Sequence, residues 1–130
     1  MSHNGRLDSV RILIVDDDPD ILEVMEIALS SEGARITTAT TGDDAVTRYA
    51  AEAPQVVVLD MMLPKRSGFL VLERIQQDEN PPPVIMVTAN EGRRHKVYAE
   101  SLGVSAYLNK PVPMDLLVET ALGVLDNPGF

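Results

Sequence analysis

The chain has 130 residues, the size of one ordinary domain, and 45 % of them are apolar, enough to build a core. Twenty Asp and Glu against eleven Lys and Arg leave a formal charge of −9, which argues against direct binding of nucleic acid because the phosphates would repel the chain as a whole. The lack of cysteine excludes disulfides, thiolate zinc sites and cysteine nucleophiles, and the longest apolar runs, such as Val56-Val57-Val58-Leu59, are far too short to cross a bilayer.

In chain order, residues 1–9 read as an amino-terminal tail. MSHNGRLDSV has no apolar h-region, so no signal peptide is expected, and the composition suits a reducing cytoplasm. A first buried strand is predicted over Ile12–Val15. Asp18 caps the following helix, Pro19 occupies its first position, and Ile21, Met25, Ala28 and Leu29 form its apolar stripe before Gly33. Ile36–Ala39 is the second strand. A second helix opens at Thr41 or Gly42, carries Ala45, Val46 and Tyr49, and stops before Pro54. Val56–Leu59 is the third strand, followed by a helix from about Ser67 to Gln77 with Leu70, Val71, Arg74 and Ile75 at helical spacing. The prolines of Glu79-Asn80-Pro81-Pro82-Pro83 cannot continue that helix and lead into a fourth strand, Val84–Val87. A fourth helix covers about Gly92 to Leu102, a fifth strand Ser105–Leu108. The last helix begins near Pro113, with Leu116, Leu117, Thr120, Ala121 and Val124 repeating, and residues 127–130 form a tail.

Continuous apolar runs, rather than alternating ones, suit strands buried on both faces. Five strand–helix units over 10–126 predict a single α/β domain. Its fold class is a doubly wound, five-stranded parallel sheet in the order 2-1-3-4-5, with helices on both faces and right-handed crossovers.

Such a sheet binds ligands beyond the carboxyl ends of its strands, where the strand order reverses. The first strand runs into Asp16-Asp17-Asp18, the third ends at Asp60, the fourth at Thr88 and the fifth at Asn109-Lys110. The second, an edge strand away from the crevice, ends without an ionisable group in Thr40-Thr41-Gly42. Carboxylates so gathered repel by about 4 kcal/mol per pair at 4 Å and an effective dielectric of 20. A cation, a raised pKa or Lys110 must offset that repulsion. Oxygen ligands without His or Cys select Mg²⁺ or a similar ion, and a carboxylate beside it can accept a phosphoryl group. Singly, each residue has an ordinary reading: Asp18 as a helix cap, Thr88 as a strand-end hydroxyl, Tyr107 as a packed aromatic. Together, at four strand ends, they point to phosphoryl chemistry.

The stretches ILIVDDDPDI, VVVLDMMLPKRSGFLVL, VIMVTAN and AYLNKPV resemble the receiver domain of bacterial response regulators, the CheY-like domains of two-component signalling, over essentially the whole chain. The resemblance implies that Asp60 is the phospho-acceptor. Asp17 would ligate Mg²⁺ directly and Asp16 mainly through water, with Asp60 and the Met62 backbone carbonyl completing the protein ligands. Lys110 would pair with Asp60 and contact the phosphoryl oxygens. Thr88 and Tyr107 would form the switch, and Lys110-Pro111 a cis peptide. The implied partners are a sensor histidine kinase or phosphotransfer protein as phosphohistidine donor, and a downstream protein reached through the helix 4–strand 5–helix 5 face. Neither direct nucleic-acid binding nor membrane insertion is implied.

Some positions depart from the family pattern. Ser105-Ala106 stands where one transcription-factor subfamily carries acids, and Asp115 and Glu119 where it often has arginine. Its charged dimer is therefore not expected here, and the chain reads as a monomer or weak dimer. Met62 and Asn90 occupy positions that tune phosphoryl lifetime. Arg93-Arg94-His95-Lys96 is a basic cluster on an acidic background, suited to a solvated face or to docking an acidic partner. Two alternatives remain open: a degenerate receiver used only for protein binding, and a Mg²⁺-dependent aspartyl-phosphate phosphatase. The second lacks the acid expected two residues after Asp60, where Met62 stands. No G-x-G-x-x-G follows the first strand, which disfavours a dinucleotide site. An enzyme acting on outside substrates is not expected.

Overall fold

A computed structural model describes residues 5–89 and 92–126. Five strands, β1 (Arg11–Val15), β2 (Arg35–Ala39), β3 (Val56–Asp60), β4 (Val84–Thr88) and β5 (Ala106–Asn109), alternate with five helices, α1 (Pro19–Ser30), α2 (Gly42–Glu52), α3 (Gly68–Gln76), α4 (Arg93–Ser101) and α5 (Met114–Asp126). All four strand pairings are parallel and the order is β2-β1-β3-β4-β5, as the run of strand–helix units predicts. The chain leaves β1 for the β2 edge and returns to β3 on the other side, so the crevice opens between the carboxyl ends of β1 and β3.

The sheet divides the core into two layers because successive side chains of a strand point to opposite faces. Ile12, Ile14, Val56, Val58, Ile85 and Val87 meet Leu22, Met25 and Leu29 of α1 and Leu117, Ala121 and Val124 of α5. Leu13, Val15, Val57, Leu59, Val84 and Met86 meet α2, α3 and α4 on the other face. β3 and β4 are buried along their whole length, whereas the edge strands β2 and β5 are largely half-exposed. Thr37 and Thr38 in β2 suit that half-wet position.

The helix starts follow the local chemistry. Asp18 accepts hydrogen bonds from the N–H groups of Asp20 (2.9 Å) and Ile21 (3.4 Å) ahead of Pro19. Thr41 Oγ1 accepts from Asp44 N at 3.0 Å, and Ser67 Oγ from Leu70 N at 3.4 Å. Gly33 and Gly103 take φ values of +93° and +89°, which close the turns after α1 and α4.

Three expectations are corrected. Leu70 and Leu116 lie outside the core, 49 % and 45 % exposed, while Leu72 and Val118 are buried. In α1, Leu22 takes the buried place and Ile21 packs at its margin. Of the expected tail 1–9, residues 5–9 fold back on the body. Leu7 is fully buried, and its N–H donates to Glu32 O at 2.9 Å.

Gly68 decides how α3 meets the crevice. A Cβ there would lie 2.3 Å from Asp60 O and 2.7 Å from Met61 Cα, backbone atoms that cannot rotate aside. The Gly68→Ala variant is expected to lose about 1 to 3 kcal/mol of stability by overpacking. Because the displaced backbone belongs to Asp60, it should also bind divalent cations more weakly than the parent. Denaturant titration and calorimetric Mg²⁺ titration measure the two effects separately.

Candidate functional site

Backbone bonds beyond the strand ends carry the ladder into the site. Asp16 N donates to Ala39 O at 3.1 Å, and Lys110 N donates to Thr88 O at 2.8 Å. Asp16 therefore leaves β1, and Lys110 leaves β5, with the main chain fixed up to the functional side chain. Asp60 is the last residue of β3 and is 4 % exposed, Thr88 closes β4 fully buried, and Asp16 is fully buried. Asp17, one residue on, is exposed.

Four of the predicted residues converge. Ligand atoms of Asp16, Asp17 and Asp60 all lie within 4.8 Å of one another. Lys110 Nζ bridges two of these acids, 2.7 Å from Asp16 Oδ2 and 3.3 Å from Asp60 Oδ2. The resemblance implies a pairing with Asp60; the structure places the ammonium nearer Asp16. Asp60 Oδ1 accepts the Met62 N–H at 3.2 Å, and Asp16 Oδ1 accepts the Asp18 N–H at 2.9 Å. Lys110-Pro111 is cis. Thr88 stands one strand over from Asp60, whose register partner on β4 is Val87. Tyr107, in register with Met86, sits half-buried against the α2–α4 layer. Asn90 lies outside the described residues.

Burial pushes the Asp60 carboxyl above its ordinary pKa, and the Asp16 charge adds to the rise, while Lys110 and the Met62 N–H oppose it. Burial alone would lower the Lys110 ammonium, but hydrogen bonding and attraction to Asp16 and Asp60 hold it above the ordinary lysine value. Three carboxylates against one ammonium leave two negative charges uncompensated. Asp16 Oδ2 is buried and lies 2.7 Å from the Lys110 ammonium. The donor set is all oxygen. These features fit a hard divalent cation, and the cluster could hold one.

A loop clamp that the sequence reading missed holds the β3–α3 connection in place. Gly42 N donates to Pro64 O at 3.1 Å, Arg66 Nε to Asp43 Oδ1 at 3.0 Å, and Gly68 N to Met61 O at 2.9 Å. Lys65 takes a left-handed φ of +74° within it. The only local signal is the Pro64-Lys65-Arg66-Ser67-Gly68 turn, which marks a bend but not its partner on α2.

Removal of the ammonium leaves the Asp16 and Asp60 carboxylates unscreened. Lys110→Met is expected to cost about 3 kcal/mol of stability in chelator, and millimolar Mg²⁺ should restore most of the loss in a thermal melt. Cation affinity should also fall toward acid pH. A proton on Asp60 removes a charged ligand, and the raised pKa starts that loss at a higher pH than an ordinary aspartate would. Calorimetric Mg²⁺ titrations at a series of pH values measure it.

The model of the response regulator receiver domain family matches residues 12–122. Among curated proteins, the transcriptional regulatory protein TrcR of Mycobacterium tuberculosis is 30 % identical over 123 residues, 95 % of this chain and 48 % of its own length. The alkaline phosphatase synthesis transcriptional regulatory protein PhoP of Bacillus subtilis is 35 % identical over 101 residues, 78 % of this chain and 42 % of its own. The chain thus spans about half the length of these curated relatives. Among solved structures, the CheY-like receiver domain protein of Methanospirillum hungatei superposes with a TM-score of 0.87 at 31 % identity, covering 92 % of this chain and 95 % of that one. The BeF3-activated receiver domain of DrrB gives 0.84 at 30 % identity, covering 92 % and 99 %. The match over nearly all the sheet and its crevice places this chain in the response regulator receiver domain family of two-component systems.

Proposed function

We propose that Asp60 accepts a phosphoryl group from a phosphohistidine on a sensor histidine kinase or phosphotransfer protein, and that the modified site switches a protein-interaction face made of α4, β5 and α5. One observation carries this reading: a nearly buried carboxylate at the crevice, held between the Met62 N–H and the Lys110 ammonium, with two further acids beside it.

Asp60 is the nucleophile. One carboxylate oxygen bonds to phosphorus as the phosphorus–nitrogen bond of the donor breaks. Burial raises the pKa of that carboxylate, and the Met62 N–H and Lys110 oppose the rise by favouring its ionised form. Lys110 is the cation nearest the reacting oxygens, preorganised to meet the charge on the arriving group. Asp16, Asp17, Asp60 and the Met62 carbonyl would hold Mg²⁺, which when bound supplies further charge neutralisation on the phosphoryl oxygens. Thr88 would hydrogen-bond the phosphoryl group, and Tyr107 would change rotamer with it, passing the added charge of roughly one to two units to the output face.

The side chain of Met62, 61 % exposed, offers no general acid, so the chain is expected to catalyse its own phosphorylation and dephosphorylation and nothing further. No described helix is long and apolar enough to cross a membrane, which agrees with action in the cytoplasm. The relatives bear the names of transcriptional regulators. A DNA-binding output downstream is compatible with this reading, in which the domain itself contacts protein.

Incubation with acetyl phosphate and Mg²⁺ is expected to add one phosphoryl group by intact mass. Asp60→Asn, or chelation of the metal, should abolish the adduct. An adduct of equal yield in Asp60→Asn would sink the assignment.

A further inference from the structure

The helix α4 divides its basic cluster between two faces. Arg93, Lys96, Val97 and Glu100 line, with Tyr107 and Asn109, the side toward β5, and Arg93 and Val97 stand on the ridge between the two sides. Arg94, Val97, Tyr98 and Ser101 follow one another at helical spacing along the outer side. Together with Arg93 they line a groove of about 460 Å³.

This outer side combines exposed apolar surface with uncommitted charge. Val97 is 55 % and Tyr98 45 % exposed. Tyr98 is nonetheless held in place: its ring meets Phe69 of α3 edge-on at 4.9 Å, and its hydroxyl donates to Glu73 Oε2 at 3.2 Å. Among the described residues, Arg6, Arg48, Arg66, Arg74 and Lys110 join ion pairs, while Arg93, Arg94 and Lys96, like the scattered Arg11, Arg35 and Lys65, join none. The local helix gains nothing from them. Its first turn has no acid, its cap is Gly92 without a side-chain bond, and cations at an amino terminus oppose the helix dipole.

We propose that the outer face of α4 docks an acidic amphipathic helix of a protein partner. Its apolar side chains would lie on Val97 and Tyr98 and its carboxylates on Arg93 and Arg94. Charge complementarity selects this occupant. A polyanion or an anionic bilayer would meet the same few cations and then the rest of a chain of net charge −9. This docking goes beyond the phosphorylation reading and does not require a modified Asp60.

Panning the unphosphorylated full chain against a display library of helical peptides is expected to enrich sequences rich in Asp and Glu, with apolar residues three and four apart. Bound peptides should shift the amide resonances of residues 93–101. Arg94→Glu and Val97→Asp should each weaken binding by about tenfold or more, against less than about threefold for Lys96→Glu on the other face. Circular dichroism melts check that the variants fold. No enrichment, enrichment of non-acidic peptides, or unchanged affinity in both outer-face variants would overturn the proposal. So would tighter, Arg94-dependent binding to phosphatidylglycerol vesicles or to a single-stranded oligonucleotide.

Discussion

The repulsion among Asp16, Asp17 and Asp60 is the constraint around which the molecule is arranged. Their ligand atoms lie within 4.8 Å of one another, in a crevice where little water reaches Asp16 or Asp60, and like charges at such range repel strongly. Only a rigid frame holds them there. Adjacent parallel strands bring the ends of β1 and β3 together, and the ladder continues past both Asp16 and Lys110. The clamp of the β3–α3 loop onto α2 prevents the connection from relaxing outward. Lys110 offsets part of the charge by bridging two acids, and the remainder suits a hard cation, which the cluster could hold. A site of this kind is bought with stability, and the uninterrupted apolar strands of the sheet supply it.

The two layers differ in how firmly they hold their helices. α1 and α5 present three and four fully packed residues to the sheet. α4 buries only Ala99 and relies on half-buried Leu102 and Val104 at its end and on the Phe69, His95 and Tyr98 rings at its side. An element with so little buried apolar surface opens and shifts at low cost. It follows the end of β4, where Thr88 stands beside Asp60, and it flanks Tyr107 on β5. Weak anchoring leaves both faces of α4 available to partners.

The fold was legible because its signals are local. Five apolar runs, Asp18-Pro19, Thr41, Ser67 and the glycines after α1 and α4 act within a few residues of themselves, and each recurs in the structure within about two residues of its predicted boundary. The errors came where adjacent apolar residues compete for one face. Leu70 and Leu72, or Leu116 and Val118, fit a helical stripe equally well, and only the angle at which the helix lies on the sheet chooses between them. Leu7 was unreadable for the same reason: a single leucine in a polar segment becomes core only because Glu32 and the α1–β2 turn lie above it.

By itself, the sequence determined the class of fold, the strand ends at which the acids and Lys110 gather and the all-oxygen chemistry available there, because periodicity and residue type are properties of short stretches of chain. The tertiary structure alone decided the distances. It placed Lys110 nearer Asp16 than Asp60, set the Met62 N–H on the Asp60 carboxylate, tied the β3–α3 loop to Gly42 and Asp43, and turned Arg94 and Lys96 of α4 to different faces. Each of these joins residues far apart in the chain or turns on how one helix is rotated, and such relations exist only once the layers have packed.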